Sequence, residues 1–385
     1  MKPMIRHRVG WWGIAALSMS WFAVACASSV EEKAAGRAED DLGQGDGIDV
    51  QAGDIHVALS RGTLSSAVLP KDADSAITVT LTNRGSRSVR MLAWSTLLEG
   101  IEAPLFDVRR DGEPVPYIGR LYKRAAPVAG DYVVLAPGER LVRTVNLAEA
   151  YDLSISGNYR VQFRADLPGL AGHTQRAAAL LSNDLDLWLV GRPAPAREPD
   201  HAFDVYGGGE PSAQPFRYYG CSDAQAKKLQ DGLVAAEDYA INSYYYLVNH
   251  TASTPRFTTW FGTFSPAARN TVGPHFTNLA NTFVQKNFFF DCATCTRPNV
   301  YAYVYPDRPY NVYLCPVVWN RPIRGTDSVG GTLVHETSHF LAVAGTRDYA
   351  YGQSACRSLA TSNPANALQN ADSHEYFAEN NPVLP

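Results

Sequence analysis

Two histidines and a glutamate near the C-terminal end of the chain have the spacing of a metal-dependent hydrolase site. In the run His335-Glu336-Thr337-Ser338-His339, residues four apart share one helix face, so both imidazoles can bind a single metal ion. Glu336, beside the first histidine, is close enough to hold a metal-bound water and accept its proton. Because bound zinc lowers the pKa of water from ~15.7 to about 7, hydroxide becomes available near neutral pH. The motif therefore predicts a zinc-dependent hydrolase.

A zinc site of this kind needs a third protein ligand, and the residues around the motif narrow the choice. Metzincins have a glycine three residues and a histidine six residues after the second histidine, but Ala342 and Gly345 stand there. Gluzincins take a glutamate from a later helix. Glu375 or Glu379 could serve, although the residues around them do not have that pattern. The adjacent stretch 345–352, GTRDYAYG, is the remaining candidate.

The HExxH run followed by Gly-Thr-x-Asp-x-x-Tyr-Gly resembles the aspzincins, or deuterolysin family, and among them the peptidyl-Lys metalloendopeptidases. The resemblance implies that His335, His339 and Asp348 bind one zinc ion per chain. It also implies that Glu336 is the general base and that Tyr351 donates a hydrogen bond to the oxyanion. Three protein ligands leave a position open for water, and a positioned hydroxyl stabilises developing negative charge. The alternatives are a turn-capping carboxylate for Asp348 and a packing aromatic ring for Tyr351.

The resemblance extends to the cysteines and to the N-terminal half of the chain. The family's pairing implies disulfides between Cys221 and Cys292 and between Cys295 and Cys315, which leaves Cys356 over. Export to an oxidising compartment would permit such bonds. The β-rich N-terminal segment resembles the family's propeptide, and the runs that match are 96–100, 123–127 and 150–152.

Two acidic residues near the C-terminus bear on specificity. The run 370–380 resembles that of the peptidyl-Lys branch, in which two acidic residues line the pocket after the scissile bond; they correspond to Asp372 and Glu375. Three apart on a helix, these residues share one face and can bind a lysine ammonium by charge-assisted hydrogen bonds. This predicts cleavage on the N-terminal side of lysine. The alternative is an acidic helix N-terminus with no such role.

Lys123 lies in one of the propeptide-like runs. A lysine there is a candidate to enter the acidic pocket and inhibit the enzyme by imitating a substrate. The alternative is a solvated surface lysine.

The catalytic residues must be positioned by helices. Ser222 and Gln225 have capping-box spacing, and apolar residues recur at helical intervals from Leu229 to Leu247. The remaining elements expected here are helices over about 274–286, from Thr332 to Gly345 and over about 373–380, and strands at Val300–Tyr305 and Asn311–Leu314.

The N-terminal half has the alternating pattern of strands, at 55–59, 77–81, 106–108, 141–145 and 159–163, separated by turn residues. We therefore predict a multidomain α and β protein. An N-terminal antiparallel β-sandwich pro-domain precedes a mainly helical, zincin-like catalytic domain with a small β element. The predicted organisation is a signal peptide (1–26), a flexible tether (27–53), the pro-domain (54–190), a Pro- and Gly-rich linker (191–216) and the catalytic domain (217–385).

The first residues have the features of an export signal. Basic residues precede an apolar stretch, Trp11 to Val24, that is too short for a spanning helix, and Ala23-Val24-Ala25 offers a cleavage site. Cys26 follows directly, so a lipoprotein signal with Cys26 lipidated is the alternative to a plain secretory signal. We expect a secreted protein, or an outer-membrane lipoprotein that contacts a membrane only through Cys26.

Composition limits the partners. The net charge is −4 and there is no long basic run, which argues against nucleic acid and anionic membrane surfaces. We expect a monomeric zymogen that acts on proteins or peptides containing lysine, with its own pro-domain as intramolecular inhibitor. The alternatives are an aspzincin of other or broad specificity and a catalytically silent surface binding protein.

Overall fold

The computed structural model describes residues 54–63, 74–166, 179–194, 204–206 and 216–385. Cys26 and the predicted signal and tether lie outside the described residues. The described residues contain two large hydrophobic cores, one in each half of the chain. Within this part of the chain, no helix combines the length and the apolar character needed to cross a membrane.

Alternation of buried and partly exposed residues gives the N-terminal half its strands. Ile77, Val79 and Leu81 point into the core, and the threonines between them are partly exposed. All five predicted strands are confirmed. The strands of this half are β1 (Ile55–Arg61), β2 (Ala76–Asn83), β3 (Val89–Leu92), β4 (Phe106–Arg110), β5 (Glu113–Pro114), β6 (Leu121–Arg124), β7 (Tyr132–Leu135), β8 (Arg140–Asn146), β9 (Gly157–Asp166), β10 (Ala179–Leu181) and β11 (Leu185–Leu189).

Two antiparallel sheets contribute buried side chains to the N-terminal core. In one, β2 lies between β1 and β8; the other has the order β10-β9-β4-β5, with β11 also paired to β9. Strands β3 and β7 form a separate antiparallel pair. The buried side chains of the larger sheets share one core. The sandwich packing itself stays a prediction.

The C-terminal half is mainly helical. The Ser222 side chain accepts from the Gln225 N–H and the Gln225 side chain accepts from the Ser222 N–H, so the predicted capping box is confirmed. The helices are α1 (Asp223–Asn249), α2 (Pro255–Phe261), α3 (Pro266–Gln285), α4 (Val329–His339), α5 (Gln353–Ser362), α6 (Pro364–Ala367) and α7 (Ala371–Glu379).

A mixed sheet joins the two halves of the chain. Its strand order is β12-β13-β14-β16-β15-β6, and β6 comes from the N-terminal half. β6 runs antiparallel to β15, with Tyr122 opposite Tyr303. The other strands are β12 (Asp204–Tyr206), which lies within the predicted linker, β13 (Phe216–Tyr219), β14 (Phe289–Asp291), β15 (Val300–Val304) and β16 (Asn311–Leu314).

Two predicted helix boundaries are wrong. α3 begins at Pro266, well before residue 274, because Ser265 caps it and a proline is tolerated in the first turn; Pro274 then lies inside the helix. α4 ends at His339 rather than Gly345, because Phe340 is extended with φ −60° and ψ 130°. The two strands predicted beside the site and the helix predicted near residue 373 are confirmed.

Candidate metal centre and specificity pocket

Helix α4 carries His335, Glu336 and His339, and its N-terminus is fixed by two caps. The Ser328 hydroxyl accepts from the Gly331 N–H at 2.9 Å, and Glu379 of α7 accepts from the Ser328 N–H at 2.8 Å. A Cβ on residue 331 would lie 2.0 Å from Oε1 of Glu379, so glycine is required for this close approach. The caps hold α4 against α7.

Three donor atoms converge beside α4. Nε2 of His335 and Nε2 of His339 are 3.1 Å apart, and Oδ1 of Asp348 lies 3.2 Å from the first and 3.3 Å from the second. Tetrahedral zinc with bonds of about 2.0–2.1 Å separates its ligands by about 3.3 Å, so the three atoms fit such an ion. Both Asp348 oxygens are buried without a hydrogen-bond partner, as is expected of metal ligands. Although burial opposes it, the two histidines hold the pKa of Asp348 well below its usual value.

The loop after α4 brings Asp348 to the two histidines and also carries Tyr351. Asn370, the residue before α7, holds this loop in place: its Oδ1 accepts from the N–H of Tyr349 at 2.9 Å and from the N–H of Ala350 at 3.1 Å. The loop and α7 are thereby fixed to each other.

Both imidazoles have a second partner. Nδ1 of His339 donates to the carbonyl oxygen of Thr346 at 3.0 Å, and Nδ1 of His335 lies 2.7 Å from Oδ1 of Asp372. With Nδ1 protonated, each ring directs the Nε2 lone pair toward the metal position. Asp372 is fixed in turn by the Gly352 N–H, which donates to Oδ2 at 2.7 Å.

Glu336 is completely buried beside the three donor atoms. Burial raises the pKa of its carboxyl to about 8, although His335 and Lys123 oppose this shift. A bound dication would lower that pKa. A carboxyl group whose pKa lies between its ordinary value and about 8 can exchange a proton near neutral pH, which suits a general base.

The side chain of Lys123 is fully buried, and its ammonium lies among three carboxylates. Nζ is 2.5 Å from Oε2 of Glu375, 3.6 Å from Oδ1 of Asp372 and 3.6 Å from Oδ1 of Asp327. Burial alone would lower the pKa of Lys123, but the three carboxylates raise it well above its usual value. The ammonium is therefore charged at neutral pH.

The backbone of β6 passes between two of the predicted catalytic residues. The Tyr351 hydroxyl donates to the carbonyl oxygen of Tyr122 at 2.9 Å, and the Lys123 backbone is close enough to Glu336 to lower the pKa of its carboxyl. The carbonyl of Tyr122 and the amide of Lys123 belong to one peptide bond, so Tyr351 and Glu336 flank that bond. The structure thus brings together all the residues that the sequence predicts for the metal site and the pocket.

Sequence reasoning missed three residues around the Lys123 ammonium. Besides Asp327, the ring of Tyr301 lies 4.7 Å from Nζ and the ring of Tyr376 lies 5.9 Å away, both at cation–π distance. The Tyr376 hydroxyl donates to Oδ1 of Asp327 at 2.7 Å. Asp327 directly precedes the cap of α4, and in the sequence it resembles an ordinary turn residue. Its contact with the Lys123 ammonium is visible only in the folded structure.

The cysteines of the C-terminal half lie outside the metal centre. The structure joins Cys221 to Cys292 and Cys295 to Cys315. Cys356 is a free, buried thiol, and burial raises its pKa well above the usual value. It therefore stays protonated at neutral pH.

Comparisons with known proteins agree with this chemistry. The aspzincin family model, described as lysine-specific metallo-endopeptidase, matches residues 246–379. An extracellular protease of Aeromonas hydrophila is 40% identical over 318 residues, which cover 80% of this chain and 89% of the relative. A peptidyl-Lys metalloendopeptidase of Armillaria mellea is 36% identical over 329 residues, covering 80% and 87%. A solved zinc peptidase from Grifola frondosa is 50% identical, covers 43% of this chain and 100% of its own, and gives a TM-score of 0.41.

Proposed function

The chain belongs to the aspzincin family of metalloendopeptidases, and from this premise we propose that it is exported as a zymogen and cleaves peptide bonds on the N-terminal side of lysine. The observation that carries the specificity is the lysine ammonium enclosed by Asp372, Glu375 and Asp327 beside the metal ligands. A pocket of three carboxylates favours a cation strongly. The compact, fully enclosed ammonium position suits lysine better than the broader, planar guanidinium of arginine.

We propose that β6 marks the path of a bound substrate. A substrate strand would add antiparallel to β15, as β6 does, and gain main-chain hydrogen bonds along that edge. Its lysine would fill the acidic pocket, and the carbonyl before that lysine would lie at the Tyr351 hydroxyl, where the Tyr122 carbonyl lies. The bond to be cleaved would then lie between Tyr351 and Glu336.

The chemistry follows from these positions. Zinc held by His335, His339 and Asp348 would lower the pKa of a bound water and polarise the scissile carbonyl. Glu336 would take the proton from the attacking water and deliver it to the leaving amide nitrogen, beside which it lies. The Tyr351 hydroxyl would stabilise the negative charge that develops on the carbonyl oxygen.

We propose that the pro-domain inhibits the enzyme through Lys123. Three features support this: Lys123 fills the acidic pocket, β6 covers the edge of β15, and the Tyr122 carbonyl oxygen accepts the hydrogen bond that the Tyr351 hydroxyl donates. A substrate could bind only after β6 leaves. Removal of the pro-domain would therefore be the activating step.

A digest tests the proposed specificity. The enzyme matured from the full chain is incubated with a denatured protein, with and without chelator, and the new N-termini are sequenced by mass spectrometry. We expect chelator-sensitive products that begin with lysine. Asp372→Asn and Glu375→Gln should reduce cleavage before lysine, whereas Asp238→Asn, at an exposed position on α1, serves as the matched control.

Other outcomes of the digest would select the alternatives. Chelator-sensitive products with mixed N-termini would retain the peptidase and reject lysine specificity. A zinc-loaded, pro-domain-free sample that cleaves no unfolded protein would favour a surface binding protein.

We also propose that the protein is exported and that the modification of Cys26 decides whether it stays at the membrane. Lipidation of Cys26 would retain the protein at the outer membrane, whereas cleavage without lipidation would release it. Labelling with a palmitate analogue, compared between the native chain and Cys26→Ser, distinguishes them: label that depends on Cys26 identifies the lipoprotein.

A further inference from the structure

The residue before Lys123 fills a site of its own. Successive residues of a strand point to opposite faces, so when Lys123 enters the acidic pocket, the Tyr122 side chain lies on the other face of the sheet. Tyr303 of β15 is directly opposite Tyr122, and their rings are 5.4 Å apart at 48°. Tyr122 is only 3% exposed. Both residues flanking the Tyr122–Lys123 bond are therefore held by the catalytic half.

The surface under Tyr122 is an aromatic shelf, formed by Tyr303, Tyr305 and Tyr313. The rings of Tyr303 and Tyr313 stack at 4.6 Å and 4°, and Tyr305 packs edge-on against them at 5.9 Å and 5.8 Å. The Cys295–Cys315 disulfide packs against the same cluster. The shelf consists of residues of the catalytic half alone and is cross-linked, so it can bind a ring at a small cost in conformational entropy.

A cation of the catalytic half lies beside the Tyr122 ring. Cζ of Arg297 is 5.2 Å from the centroid of the Tyr122 ring. Arg297 also pairs with Glu99 at 2.9 Å and with Glu102. Both glutamates belong to the N-terminal half, so departure of the pro-domain would remove these two partners and leave the guanidinium beside the position that the Tyr122 ring occupies.

We propose that the aromatic shelf and Arg297 form the subsite for the residue that precedes the cleaved lysine, and that this subsite favours aromatic side chains and disfavours basic ones. The inference rests on the proposed cleavage before lysine, with β6 as the template for a substrate. An aromatic residue there gains ring–ring and cation–π contacts. A basic residue meets the charge of Arg297, which two carboxylates no longer balance.

Quenched fluorescent peptides of the form Gly-X-Lys-Ala, with X as tyrosine, alanine or arginine, test this subsite on the enzyme matured from the full chain. We expect kcat/KM for the tyrosine peptide to exceed that for the alanine peptide by about 5- to 30-fold. The arginine peptide should be cleaved about 3- to 10-fold more slowly than the alanine peptide.

Substitutions test which residues cause the preference for the side chain before lysine. Tyr303→Ala should reduce the tyrosine-to-alanine ratio to about 3 or less, and Tyr303→Phe should retain most of it because the ring remains. Arg297→Gln should bring the arginine-to-alanine ratio close to one. Tyr245→Ala is the control, since Tyr245 is 58% exposed on α1, and its ratios should equal those of the native enzyme.

The outcomes separate the two proposals. Equal rates for all three peptides, or ratios that neither Tyr303→Ala nor Arg297→Gln changes, would overturn the subsite while cleavage before lysine stands. Failure of the active, zinc-loaded enzyme to cleave any of the three peptides would overturn the lysine specificity, and the subsite with it.

Discussion

Replacement of Lys123 by methionine should open the active site without removing the pro-domain. Methionine retains most of the aliphatic chain but removes the ammonium that contacts Glu375 at 2.5 Å and Asp372 and Asp327 at 3.6 Å. The three carboxylates then face one another without a cation. β6 would lose its principal electrostatic contact with the catalytic half.

The magnitude follows from the burial of this cluster. Removal of one partner from a buried, hydrogen-bonded charge pair costs about 2–5 kcal/mol. The Lys123 and Glu375 side chains are both 0% exposed, so solvent screening does not reduce this range. The equilibrium between β6 in place and β6 displaced should therefore shift by about 30- to 4000-fold toward displacement.

Binding to the uncut chain measures this shift. In a Glu336→Gln background, which prevents turnover, a fluorescent lysine peptide reports the fraction of chains with β6 displaced, because the apparent Kd equals the intrinsic Kd divided by that fraction. We expect Lys123→Met to lower the apparent Kd by about 30-fold or more, up to the intrinsic value.

A control variant and a refuting outcome complete the test of Lys123. Arg140→Met removes one positive charge from an exposed position on β8 and should leave the apparent Kd unchanged. A folded Lys123→Met chain, judged by circular dichroism, that binds the peptide no better than its parent would refute the inhibitory role of Lys123.

Three further predictions concern the surrounding residues. Asp372→Asn should weaken zinc binding, measured by chelator competition, by about 10- to 100-fold because it orients His335, and Glu375→Gln should weaken it less. Asp327→Asn should raise KM for lysine peptides by about 3- to 20-fold, with a smaller change in kcat. His275 and His374 are 2.9 Å apart, and burial lowers their pKa values to about 4 and about 3. The unfolded chain therefore binds more protons than the folded chain below about pH 6.5. The free energy of unfolding is highest above that pH and falls toward pH 4 by about 1.4 kcal/mol per pH unit for each histidine. In urea unfolding, His275→Gln should roughly halve this dependence on pH, and an unchanged dependence would reject the assignment.

The candidate metal centre was predictable because its geometry is mostly local. His335 and His339 share a helix face by their spacing alone, and Asp348 follows in the next loop. The nature of the third ligand was not fixed by spacing, since Glu375 and Glu379 remained open until the family pattern was considered. In the structure Glu379 caps α4 instead, with Oε1 accepting from the Ser328 N–H at 2.8 Å.

Contacts between residues far apart in the sequence were harder to predict from the sequence. Lys123 and Glu375 are separated by 252 positions, and only the resemblance to a propeptide drew attention to Lys123. Asp327 belongs to no motif. The end of α4 was misplaced because Gly345 resembles a helix stop, whereas the chain leaves the helix at Phe340.

The proposed roles of Asp372 would link lysine specificity to the metal centre. Its Oδ1 lies 2.7 Å from Nδ1 of His335 and 3.6 Å from the lysine ammonium. In the proposed mechanism one carboxylate would therefore orient a metal ligand and face the substrate cation. A substitution that abolishes lysine recognition at this position would then also disturb His335. Glu375 is closer to the ammonium, at 2.5 Å, and farther from His335, at 3.4 Å. A substitution at Glu375 should therefore change specificity with less effect on metal binding than a substitution at Asp372.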